Sequence, residues 1–499
     1  MSERKKKILR DVTAYSISKY ISQFLGLFIA VLIRNSLGPL YMGMWSLMKV
    51  VFSFAAYSEF GAMQAADFKI PLYNGSGDKN KAEEVQDVVF SFLMVTSTSV
   101  SFLILAASLV LRDRMPKELF IGFLLFPVLF LSQRLYAYYI TLLRANKRFI
   151  ILSKVGLLDS IINLALVIIL VSRFKLYGLY VVSILLPLID ICYMGYASKL
   201  KMRFKIAWDK IFECVKYGFP IFTSDISMLM LYSVDSIMIA KMIGLVPLGY
   251  YSIAVMAKTY ANEFAKSFQI VISPYFIEDY GKTGDISKVG HSIVKFTEII
   301  SIMIACALGF LYLVLPVFVY YIMPKFQNGI SPIKWALLCT FFMVNLGQIR
   351  HLLIMKERQI VVMKMSIVAI TLNIIANYFA IKGGFGITGV AASSSIAAFF
   401  LFLSLSIIAL KYVESVSLFS FLTSVLIPPL CLLLALLALE YFVIYGNLVV
   451  EFAIKVFFFL LASLFMGYYI NRRTNIITIV LKIITNRVKR GDGHDTLLN

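Results

Sequence analysis

The sequence predicts an all-α integral membrane protein with about fourteen transmembrane helices, arranged as two six-helix lobes related by pseudo-two-fold symmetry plus two C-terminal helices. Three observations lead there. Apolar segments long enough to cross a bilayer follow one another along the chain, basic residues gather in alternate links, and two short patterns recur 206 and 210 positions later.

Of the 499 residues, 60% are hydrophobic and 15% charged, more apolar surface than a water-soluble domain can hide. A spanning helix needs about 20 mostly apolar residues, because its backbone N–H and C=O groups must pair within the segment once water is gone. Such segments lie roughly at 12–33, 40–60, 88–110, 119–142, 151–172, 177–197 and 212–240 in the first part of the chain. They continue roughly at 247–272, 293–322, 331–352, 360–381, 387–410, 420–444 and 450–471. The breaks carry ordinary turn chemistry, as at Gly38-Pro39, Asn74-Gly75-Ser76-Gly77, Met115-Pro116 and Gly383-Gly384.

The formal charge of +21 raises the question of nucleic acid, and its placement answers it. Basic residues concentrate at Arg4–Arg10, at Arg144, Lys147 and Arg148, at Lys199–Lys205 and at Arg472–Arg490, with few in the links between. That asymmetry orients a multi-pass protein with both termini in the cytoplasm, and no nucleic-acid partner is expected. The apolar run after Arg10 continues to Ile33 without a small-residue cleavage site, so it reads as a retained first helix.

The duplication rests on two matches. Gly38-Pro39-Leu40-Tyr41-Met42-Gly43-Met44-Trp45-Ser46 lines up with Gly244-Leu245-Val246-Pro247-Leu248-Gly249-Tyr250-Tyr251-Ser252, and Arg148, Lys154 and Asn163 line up with Arg358, Lys364 and Asn373. Six helices per copy give both copies one orientation, with the two-fold axis along the membrane normal. The expected organisation is therefore an N-terminal lobe over 1–210, a C-terminal lobe over 211–411, two peripheral helices over 412–471 and a basic tail over 472–499.

Arg34 to Trp45, following a first helix that begins after a Lys-rich N-terminus, resembles the opening of bacterial polysaccharide transporters, the O-antigen and repeat-unit flippases. These stand in the superfamily that also holds the multidrug and toxic compound extrusion transporters and the lipid II flippase. The resemblance extends over the whole chain in length, helix count, duplicated halves and charge placement. It implies a protein of the bacterial inner membrane that moves an undecaprenyl-pyrophosphate-linked oligosaccharide between leaflets, with membrane lipids and other polysaccharide assembly proteins as neighbours. It supplies no motif from which site residues can be carried over.

Those residues are read instead from cost. An ionisable group at mid-bilayer is penalised by several kcal/mol unless it faces a wet cavity or a partner. The candidates for a bound anionic headgroup are Lys19, Lys49, Arg134, Lys258 and Lys266; those for ion coupling or pairing between lobes are Asp225, Asp235 and Glu263. Lys19 falls opposite Asp225 under the repeat. Glu263 and Lys266, three apart, share a helix face and could satisfy each other. Glu59 is a further buried acid, while Arg34 and Lys241, at helix ends, read as snorkelling groups. Arg134 lies beside Tyr136, Tyr138 and Tyr139, rings that suit either a sugar or the membrane interface.

No cofactor and no metal are expected, since the three histidines, His291, His351 and His494, are scattered and the five cysteines fall in apolar segments. Gly383-Gly384-Phe385-Gly386 lacks the following Lys-Ser or Lys-Thr of a phosphate loop. A cation-coupled multidrug exporter of the same fold is the alternative to a flippase, disfavoured by Lys19 standing where an acid would be expected. A membrane-embedded polymerase or ligase would need a large external loop, and the links are short, so the chain is not expected to be an enzyme.

Overall fold

The computed structural model describes residues 3–474 except 201, 284, 357, 415 and 444–447. The described residues are almost wholly helical and contain no strand. Ten helices are long and apolar enough to cross a membrane, or eleven with one bent pair. Two of the ten are far too long for one crossing. Ile17–Glu59 has 43 residues and Phe149–Ser198 has 50, about 65 and 75 Å of helix against a hydrocarbon core of about 30 Å.

Each of these is broken where the sequence permits it. Helix α1 (Glu3–Ala55) leaves helical geometry at Gly38, φ 70 and ψ 178, just before Pro39. Helix α6 (Phe149–Leu166) runs through a π-helical stretch (Val167–Val171) into α7 (Ser172–Ser198), which breaks at Lys175. Counting each as two spans and the bent pair as one, and adding α9 below, gives the fourteen expected.

Between them stand α2 (Ala62–Ser76), α3 (Lys79–Val110), and α4 (Lys117–Leu124) with α5 (Phe126–Ala145), the last two meeting at 51°. Helices α8 (Trp208–Met242) and α9 (Leu245–Thr283) follow. Next come α10 (Ile286–Ile322), α11 (Ile330–Met355), α12 (Gln359–Lys382) and α13 (Gly386–Leu410), and finally α14 (Leu418–Phe442) and α15 (Leu448–Thr474).

The chain forms two compact units, one over Lys6–Ser252 and one beginning at Ile253. The first unit extends beyond the repeat boundary at 210 because α8 packs on α2 and α3. In the second, α11 packs on α13, and α13 brings small buried residues to its contacts, Ala391, Ser394, Ser395 and Ala398. Small residues let helices approach closely where lipid removes the hydrophobic driving force. The Ser395 hydroxyl donates to the Trp335 carbonyl at 2.7 Å. Helices α14 and α15 pack on α10 and on each other, with the Ser301 hydroxyl donating to the Val425 carbonyl at 2.6 Å.

Both repeated patterns recur as structure. Gly38 and Gly244 hold positive φ, 70° and 126°, a region that costs a residue with a Cβ. Five residues on, the copies touch within the first unit. A Cβ on Gly43 would lie 1.8 Å from the Leu245 carbonyl oxygen, and one on Gly249 would lie 1.8 Å from the Pro39 carbonyl oxygen. Pro39 and Leu245 are themselves equivalent under the 206-residue offset, so the contact is reciprocal. The second match is a pair of identical turns: Arg148 N–H donates to the Leu143 carbonyl at 2.8 Å and the Arg148 carbonyl accepts from Ile151 N–H at 3.1 Å, while Arg358 N–H donates to the Leu353 carbonyl at 2.9 Å and the Arg358 carbonyl accepts from Val361 N–H at 3.0 Å.

Because a backbone carbonyl cannot move aside as a side chain can, Gly43→Ala and Gly249→Ala should each lower stability by about 1–3 kcal/mol. Thermal unfolding of the purified protein in detergent checks this. An unchanged midpoint for both would mean that the helices do not meet so closely.

Candidate functional site

In the first unit, the sequence concentrates charge on a few helix positions. At the foot of α1 the helix tightens into a 3₁₀ turn (Ala56–Glu59), then Phe60 and Gly61 take left-handed conformations before α2 begins. This reversal directs Glu59 inward, where it is 4% exposed. Arg134 of α5 meets it with Nη2 and Oε2 2.9 Å apart, an ion pair whose side chains are 9% and 5% exposed. The same Nη2 also lies 3.1 Å from the Met63 sulfur, and Nε has no hydrogen-bond partner. The guanidinium is thus spent on Glu59 rather than displayed, and the neighbouring Tyr138 hydroxyl donates to the Gln86 carbonyl at 2.5 Å.

Arg34, read from sequence as a snorkelling group, lies inside the unit at 5% exposure. Its Nη1 donates to the Ala30 carbonyl at 3.0 Å and its Nη2 to the Ser252 carbonyl at 3.1 Å. Lys49, farther along α1, is exposed. Asp235 of α8 is 1% exposed and accepts a 2.6 Å hydrogen bond from the Tyr251 hydroxyl. Lys19 and Asp225 are half-buried on α1 and α8.

In the second unit, Lys258 is 6% exposed and Glu263 half-buried, both on α9. The side chain of Lys266, also on α9, lies outside those described. The structure therefore joins Arg134 to Glu59 and Asp235 to Tyr251. Tyr251 and the inward turn of Arg34 were not legible in sequence. Their signal was the repeat itself, since Tyr251 and Ser252 close the second copy.

The basic end of this unit is fastened by ion pairs. Lys69 of α2 reaches Glu213 of α8 at 2.6 Å, with Lys210 at 3.2 Å from the same carboxylate, and Phe68 stacks on Tyr217 at 5.2 Å. Above them Gly61 and Gly218 approach backbone to backbone. The link after α7 is held along α3: Arg203 N–H donates to Asp87 at 2.9 Å, Lys205 N–H to the Ser91 hydroxyl at 2.7 Å, and Lys205 Nζ pairs with Glu84 at 2.8 Å. The Lys205 hydrogen bond holds the Glu84 carboxyl below its ordinary range, whereas burial lifts Asp67 above it, against the opposing pull of Arg144.

Among the described residues no three His, Cys, Asp or Glu side chains group as metal ligands. What the arrangement offers is fixed positive charge within apolar helices.

Residues 77–323 match the protein-family model described as "Polysaccharide biosynthesis protein", and the resemblance drawn from Arg34–Trp45 is borne out. No curated protein sequence matches. Among solved structures, the chain is similar to one described as "Lipid II flippase MurJ, inward closed conformation", with TM-score 0.67 and 18% identity over 92% of this chain and 99% of that one. It is also similar to an inward-facing multidrug resistance MATE family transporter of the MOP superfamily, with TM-score 0.63 and 16% identity over 82% of this chain and 100% of that one. A third, a MOP superfamily transporter from Pyrococcus furiosus described by the reverse polarity of its binding pocket, gives TM-score 0.52 and 15% identity over 82% and 97%. The fold of these transporters is the fold of this chain.

Breaking the buried pair from one side should be costly. Glu59→Ala and Arg134→Ala should each destabilise by about 3–5 kcal/mol, because each strands an uncompensated charge. The double variant should lose little more than either, which a double-mutant cycle on unfolding midpoints measures. Additive losses would show that the two groups do not depend on each other.

Proposed function

We propose that this protein, whose residues 77–323 belong to the polysaccharide biosynthesis family and whose fold is that of the flippase and MATE transporters, is a flippase and not an enzyme. Its cargo is an undecaprenyl-pyrophosphate-linked oligosaccharide, carried across the bacterial inner membrane by alternating access of the lobes 1–210 and 211–411, with the basic end of each lobe in the cytoplasm.

The observation that carries the reading is basic side chains held within apolar helices, Arg34 on α1 and Lys258 on α9 being 5% and 6% exposed. Positive charge placed in apolar helices favours a cargo that carries an anion into them. A pyrophosphate supplies that anion. Lys49 is exposed and is the one we assign to contact with cargo; Lys19, Lys258 and Lys266 are assigned to the same cationic path, and Arg134 to its support through Glu59. Asp225, Asp235 and Glu263 are assigned to coupling or to pairing between lobes.

The short links at the far end also support a transporter. Those described there, Leu111–Pro116, Ile243–Gly244 and Gly383–Phe385, leave no room for the loop a polymerase needs. A cation-coupled multidrug exporter is the second reading, favoured by the likeness to MATE transporters. Polysaccharide family membership and the cation excess favour the first.

Deletion of the gene in its host should make a lipid-linked oligosaccharide accumulate on the cytoplasmic leaflet. Complementation by Lys49→Ala should fall short of wild type by roughly 10- to 100-fold in export rate, the worth of one charge-assisted contact at about 1.5–3 kcal/mol. Lys49→Arg should keep part of it, since charge survives while geometry changes. Full export by Lys49→Ala, Lys19→Ala and Lys258→Ala proteins inserted at normal abundance would end the cationic-path reading. Drug sensitivity without lipid accumulation in the deletion strain would favour the exporter instead.

A further inference from the structure

Two carboxylates that neither the sequence reading nor the comparisons single out face each other across α6 and α7. Asp159 and Asp190 each stand alone in an apolar run, far from either end of their helices. The fold brings their side chains into hydrogen-bonding contact. Asp190 is 3% exposed and Asp159 half-buried, and Asp190 Oδ2 is buried without any donor among the described residues.

Ionised carboxylates have only acceptors. Two of them in contact cannot both be charged, because the repulsion is unscreened where water is excluded, and among the described residues no donor reaches Asp190 Oδ2. One proton between the two oxygens turns two facing acceptors into a hydrogen bond and halves the charge.

Several donors on the neighbouring helices are held elsewhere. Helices α1, α4 and α5 and the π-helical stretch Val167–Val171 are the neighbours of this pair. From α1 come hydroxyls, which are committed: Ser18 donates to the Ser153 carbonyl at 2.6 Å and Ser22 to the Gly156 carbonyl at 2.8 Å. From α5, Arg134 is paired to Glu59, Arg144 to Asp67, and Tyr138 donates to Gln86. Lys19 on α1, Glu118 on α4 and Lys154 on α6 are further charged groups on these helices, and the contact each carboxyl makes is with the other.

We infer that Asp159 and Asp190 form a proton-binding site inside the first unit, separate from Asp225, Asp235 and Glu263, with a single proton shared between the two carboxyls. The site is built to respond. Ser18 and Ser22 bind α1 to α6 within the two turns preceding Asp159, and Pro187 sits three residues before Asp190, where it removes a backbone hydrogen bond from α7. Loss of the proton places two negative charges in contact at the junction of α6 and α7, against the helix that carries Lys19, Arg34 and Lys49. Proton occupancy is thereby linked to the packing of the helix on which the proposed cargo charges lie, although the site itself stands whatever the cargo.

The test is spectroscopic and needs no substrate. The full chain, purified into lipid nanodiscs, is titrated in infrared difference spectra, reading the C=O stretch of a protonated carboxylic acid in H2O and D2O. Wild type should retain one such band at neutral pH and lose it on alkalinisation. Asp190→Asn should abolish that band, since the amide replaces the proton as donor to Asp159, and Asp159→Asn, at the half-buried position, should do the same. Helicity and elution monitor folding, and either variant alone suffices if the other fails to fold. Absence of the band in wild type at neutral pH, or its survival in the folded variants, overturns the inference. So does its removal by added sodium at fixed pH, which would make the pair a sodium site.

Discussion

Two carbonyl oxygens, those of Pro39 and Leu245, determine how the first unit is put together. Each projects into the space where the other copy of the repeat has a glycine, at Gly249 and Gly43. In lipid there is little hydrophobic reward for joining apolar helices, so close packing and backbone approach must do the work. Any side chain at those glycines would hold the helices apart and carry Arg34 away from the Ser252 carbonyl to which it donates. Arg34 is therefore held where it is by glycines it does not touch.

A second constraint comes from the solvent. An apolar medium tolerates charge only in pairs, in networks or beside a ligand. The first unit shows the first two solutions at different heights. At its basic end, Lys69, Glu213, Lys210, Lys205 and Glu84 form a partly exposed clasp in which each pair is worth little alone. Deeper, Glu59 and Arg134 are nearly sealed and would be costly to separate. Lys49, exposed on α1, and the carboxyl pair Asp159–Asp190 fit neither solution, and it is at those positions that ligands, an anion and a proton, have been assigned.

The sequence made the repeat legible because backbone requirements leave local traces. A positive φ selects glycine, and a helix–helix contact at van der Waals distance selects glycine again, so Gly38, Gly43, Gly244 and Gly249 recur at one spacing. The turn at Arg148 and Arg358 is likewise a matter of neighbours in sequence. Arg134 illustrates the opposite. Its aromatic neighbours suggested either a sugar site or an interfacial belt, and nothing nearby in sequence indicated Glu59, 75 positions away, as the group it meets.

What the sequence determined by itself was the solvent, the number of crossings, the duplicated plan and the roster of charges that apolar helices must accommodate. Periodicity, segment length and basic-residue placement are properties of contiguous chain, and the bilayer reads them segment by segment. Only the tertiary structure decided which charges are spent and which remain available. Arg34 turned inward, Arg134 took Glu59, Asp235 took Tyr251, and Asp159 met Asp190. Partners of that kind come from helices far apart in sequence, and the energy that selects them depends on distance and on the exclusion of water, both of which exist only once the helices have packed.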